Sequence, residues 1–148
     1  MKTARAAAGL ATLTLAIGVA AAAPAQAAGS IQLGRIQYNS PGADTGSNAS
    51  LNAEYVFIKN LGSSTATLTG YTLRDAQGHV YKFGTFRLGA HQQMVVHTGK
   101  GTNNASHRYW GQSNYIWNNT GDRATLRAAN GTTVDTCSWG ATGSYKNC

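Results

Sequence analysis

Apolar and polar residues alternate most clearly between Glu54 and Phe83. In Tyr55-Val56-Phe57-Ile58-Lys59, Val56 and Ile58 point to one face and Tyr55 and Phe57 to the other, because side chains alternate along a strand. Leu68 to Asp75 and His79 to Phe83 continue in the same style. The polar runs between them, Asn60-Leu61-Gly62-Ser63-Ser64 and Asp75-Ala76-Gln77-Gly78, carry turn chemistry. The stretch predicts three short strands with turns between them, rich in β-branched and aromatic residues.

The pattern extends in both directions. Ile31 to Asn39 reads as a first strand, with Ile31 and Leu33 on one register and Ile36 and Tyr38 on the other. Gly34 between them predicts a bulge that switches the face. Ser40 to Asn52 reads as a loop with Pro41-Gly42. Gln93 to His97 is a strand with Met94 and Val96 on one face, and Thr98 to Ala105 is a loop. Ala124–Ala128 and Thr133–Cys137 form a hairpin around Asn130-Gly131, the strongest hairpin signal in the chain. Seven or so short strands without an amphipathic helix predict an all-β, antiparallel β-sandwich.

The first residues follow a different logic. Met1 to Ala27 combines a basic start (Lys2, Arg5), an Ala/Leu-rich apolar run and Ala25-Gln26-Ala27, the order of a secretory signal with a small-x-small cleavage site. Residues 28–148 are then the domain, exported and without a membrane span. Of the twelve Lys/Arg, ten remain against five Asp/Glu, a net charge of 10 − 5 = +5. Such a balance permits anionic partners, although the basic residues are scattered along the chain. The two cysteines, Cys137 and Cys148, form an even pair in an exported chain and predict a disulfide that ties the tail to the last strand.

Candidate chemistry is sparse. His79, His91, His97 and His107 form no close ligand pair along the chain, and no nucleophile elbow or phosphate-binding loop occurs. No catalytic residue and no cofactor is expected. His97 is expected to end a strand as a hydrogen-bonding residue and His91 to sit in an exposed turn. Asp44, Asn52, Glu54 and Asp75 are the densest group of hard oxygens and could hold calcium. The competing reading has Asp44 and Asn52 pinning the loop and Glu54 pairing with a basic neighbour. The best candidate binding surface is the aromatic segment: Arg108, Tyr109, Trp110, Tyr115 and Trp117, with Lys100 nearby. Exposed rings there would stack on sugars or bases, while buried ones would plug one end of the sandwich.

The ordered residues resemble a known family. Asn52 to Asn60, Leu68 to Asp75 and Tyr81-Lys82-Phe83 resemble the lamin-tail domain. His97 to Gly101, Trp117 to Asp122 with Ala124-Thr125-Leu126, and Gly131 to Asp135 resemble its secreted bacterial branch. The resemblance covers about Ile31 to Trp139. It implies an immunoglobulin-like sandwich without enzymatic activity, used as a targeting or binding module, and in nuclear lamins one that contacts proteins and DNA. The expected function is a secreted, non-catalytic interaction module. Its partner would be a protein or envelope polymer, with nucleic acid or another anionic polymer as one alternative and carbohydrate as the other.

Overall fold

The computed structural model describes residues 30–148, so the expected signal segment lies outside the described residues. Strand β1 (Ile31–Gln37) pairs antiparallel with β2 (Tyr55–Asn60). The register slips between Leu33 and Ile36, placing one extra residue opposite β2 at Gly34 and Arg35. That bulge turns Ile31, Leu33, Ile36 and Tyr38 all toward the core, as Gly34 predicted. A Cβ at Gly34 would lie 2.6 Å from the Lys59 side chain, so glycine there also admits the neighbouring strand.

Between these strands the expected loop contains a short helix, α1 (Asn48–Asn52). Ser47 caps it by accepting the Ser50 N–H at 3.2 Å. Only Leu51 of the helix is buried, too little apolar periodicity to mark a helix in the sequence.

Strands β3 (Ala66–Thr67), β4 (Thr72–Arg74), β5 (Val80–Lys82) and β6 (Arg87–Leu88) are brief. They precede β7 (Gln93–His97), β8 (His107–Tyr109), β9 (Asp122–Arg127), β10 (Thr133–Trp139) and β11 (Tyr145–Lys146). One sheet runs β11-β1-β2-β7-β8, a second β10-β9-β4-β5, and β3 pairs with β6. The three neighbouring strands expected from Glu54 to Phe83 are therefore divided: β2 lies in one sheet, β4 and β5 in the other. The eleven strands among the described residues exceed the seven or so expected because ladders of two or three residues are too short to show alternation. One pairing departs from the antiparallel expectation, since β8 runs parallel to β7.

The two sheets enclose Val56, Ile58, Leu73, Met94, Val96 and Leu126, with Phe83, Phe86 and Trp117 filling the ends. The β9–β10 hairpin turns at Asn130-Gly131, where Gly131 has φ +87° and Asn130 Oδ1 accepts the Thr132 N–H. Cys137 and Cys148 form the expected disulfide, with Cα atoms 5.9 Å apart. It anchors β11 along the free edge of β1, where the Ser144 carbonyl accepts the Tyr38 and Asn39 N–H groups and the Arg35 guanidinium sits 3.8 Å over the Tyr145 ring.

Candidate functional site

The five carboxylates define the surface by where they go. Glu54, just before β2, is fully buried. Its Oε1 accepts the Thr98 hydroxyl at 2.6 Å and the Ile116 N–H at 2.9 Å, so it joins the β2 entry, the end of β7 and the aromatic segment. Burial lifts its pKa from an ordinary 4.5 to about 7. The bonds from Thr98 and Ile116 and the nearby Trp117 N–H oppose that rise, and the Asp44 charge adds to it. Oε2 has no partner in hydrogen-bond geometry among the described residues. The expected basic neighbour is replaced by these neutral donors.

Asp75 and Asp122 are buried as well. Asp75 accepts the Gly78 and His79 N–H groups and contacts the His79 ring; Asp122 accepts the N–H groups of Ala76, Asn118 and Arg123. Asp135 accepts the N–H groups of Leu33 and Thr136, which ties β10 to β1. Asp44 alone is exposed. Among the described residues no lysine or arginine forms an ion pair with a carboxylate. The suggested calcium ligands do not assemble: Asp75 serves its own turn, and no group of three or more acidic, histidine or cysteine residues converges among the described residues.

Four cations share the outer face of the β10-β9-β4-β5 sheet. Leu73, Tyr81, Ala124 and Leu126 point inward, so their neighbours Arg74, Lys82, Arg123 and Arg127 point outward. Thr72 lies opposite both Lys82 and Arg127, and Thr125 lies opposite Arg74. Thr136 and Ser138 extend the face across β10 opposite Thr125 and Arg123. The result is a flat array of guanidinium, ammonium and hydroxyl groups without a carboxylate.

The aromatic segment is pulled in several directions. Trp117 is 2% exposed and belongs to the core. Trp110 is half-buried, its ring 5.9 Å from Trp117 and 5.8 Å from Tyr81. Arg108 turns to the opposite side of β8 from Tyr109 and lies 4.3 Å over Phe86. Its charge opposes the rise in the Tyr81 pKa that burial produces. Tyr109 stacks on His97 at 5.0 Å. The Tyr115 hydroxyl is 2.6 Å from Ser50 Oγ and accepts the Gly46 N–H. Lys100 has its main chain held by Asn48 and Asn52. With Asn48, Leu51 and Gln112 it lines an open cleft of about 310 Å³. These six residues therefore form no continuous exposed platform.

The histidines divide similarly. His91 occupies an exposed turn with φ +56°, and His97 ends β7 with Nδ1–H donating to the Asn52 carbonyl at 2.8 Å. His107 lies beside His97, a proximity the chain spacing did not signal. His79 and Asp75 make an acid–base contact on a surface turn, away from the Lys100 cleft.

Two facing sheets of short, mostly antiparallel strands are an immunoglobulin-like β-sandwich. The family model for the Lamin Tail Domain matches residues 24–141, and the chain belongs to that family. No curated protein matches the chain in sequence. The family match ends before β11 and Cys148, so the disulfide-tied edge strand lies outside it.

Proposed function

We propose that the protein is a secreted, non-catalytic interaction module whose partner is an anionic polymer. The carrying observation is the division of charge. Ten lysines and arginines face a surface from which the carboxylates, except Asp44, have been withdrawn to bind main-chain N–H groups. Arg74, Lys82, Arg123 and Arg127 share one face of that surface. Cations on one flat sheet can contact successive phosphates without base readout, which gives affinity that depends on salt. The family supports an interaction module, and the signal-like N-terminus with the disulfide supports export.

Fluorescence anisotropy with labelled duplex DNA, across a salt series, tests the reading. The expected result is binding whose logarithm falls linearly with log salt, at about 0.9 per phosphate neutralised. No binding even at low salt would sink it.

A further inference from the structure

On the opposite sheet, two imidazoles ten residues apart in the chain come together. The parallel pairing of β7 and β8 places His97 and His107 on the same outer face. His97 Nε2 lies 2.9 Å from His107 Nδ1, and the ring planes are parallel to within 6°. The proton on His97 is located by its other nitrogen. The Asn52 carbonyl can only accept, so Nδ1 carries the hydrogen and Nε2 turns a lone pair toward His107. A backbone carbonyl on the far nitrogen is the support that orients metal-ligating histidines and raises their basicity. The Tyr109 ring stacks on His97, and Gly101 packs against Tyr109 so closely that a Cβ would lie 2.4 Å from the ring. His97 is therefore held, whereas His107 is exposed and its ring can turn, while its main-chain N–H donates to Asn104 Oδ1.

We propose that His97 Nε2 and His107 Nδ1 form a solvent-facing site for a divalent transition-metal ion of the zinc or copper type. Two nitrogens at metal-bond length from one ion stand about 2.9 Å apart at a right angle and about 3.3 Å apart at the tetrahedral angle. The observed 2.9 Å is a hydrogen-bond spacing with the two nitrogens facing each other, so binding requires the exposed His107 ring to turn until its Nδ1 lone pair points at an ion held on His97 Nε2. Without metal, His107 Nδ1–H donates to His97 Nε2. On binding, the His107 proton shifts from Nδ1 to the outer Nε2 by exchange with solvent, the turned Nδ1 lone pair joins the ion, and water completes the coordination shell. Imidazole ligands select zinc, copper or nickel over calcium and magnesium. With two protein ligands the affinity lies below that of closed structural zinc centres.

The test is a zinc titration of the purified, untagged protein, followed by calorimetry and by the NMR signals of the histidine rings. One saturable ion per chain is expected, with the His97 and His107 rings shifting together. His107→Ala changes an exposed side chain and should remove the uptake without moving the melting temperature; His91→Ala should retain it. The proposal is overturned by the absence of saturable uptake, by uptake unchanged in His107→Ala, or by ring shifts confined to His79 and His91.

Discussion

Glu54 shows how much one buried carboxyl decides. With its pKa raised to about 7, the folded protein holds a proton that the unfolded chain has released above about pH 4.5. Stability therefore falls as pH rises through that window, by about 3 kcal/mol in total. Glu54→Gln keeps an oxygen for Thr98 and Ile116 and titrates nothing. Urea unfolding at several pH values should show the variant gaining on the wild type by that amount between about pH 4 and pH 8. A constant difference across pH would show that Glu54 titrates in the fold as it does in the unfolded chain. Trp117 is the second residue-scale case. It packs edge-on against Trp110 and Trp139 in the core, and Trp117→Ala should cost about 3–5 kcal/mol in the same assay. A cost below about 1 kcal/mol would contradict its burial among core side chains.

At the level of elements, the C-terminal tail changes the edge of a sheet. Strand β11 covers the outer side of β1, which would otherwise present unpaired N–H and C=O groups. The Cys137–Cys148 bond closes a short loop and should contribute about 3 kcal/mol on the chain-entropy model. Cys148→Ser with Cys137→Ser should lower stability by that amount and speed hydrogen exchange at Lys146 and its β1 partners. If exchange stays as slow as in the wild type, the Ser144 and Tyr145 contacts hold the strand without the covalent tie. The strand β1 bulge belongs to this scale too. Gly34 marked it in the sequence because a glycine between two apolar registers has no side chain to pack, and the structure uses that gap for Lys59.

For the whole molecule, the basic face and the histidine pair lie on opposite sheets, so variants can separate them. Arg74→Gln with Arg123→Gln and Arg127→Gln should flatten the DNA salt slope by about one unit for each phosphate no longer neutralised. Arg35→Gln with Lys59→Gln, on the other sheet, should leave the slope nearly unchanged. Equal effects of the two sets would mean that overall charge, not one face, drives binding. The ten basic residues do not gather on one face as a single-surface polyanion reading requires; Arg74, Lys82, Arg123 and Arg127 do.

Pattern and spacing along the chain were enough for the sandwich, the β9–β10 turn, the disulfide and the places of His91 and His97, because period-two alternation, Asn-Gly and paired cysteines are local or nearly local signals. Helix α1 escaped them, since five residues with one buried side chain carry no helical period. Which aromatic rings are core, which carboxylates are buried and which cations share a face was settled only by the folded arrangement. Those outcomes depend on strand pairing across long separations: Leu33 N–H reaches Asp135 over 102 positions, and Thr98 reaches Glu54 over 44. The histidine pair arose in the same way, from a parallel ladder that no spacing rule in the chain announces.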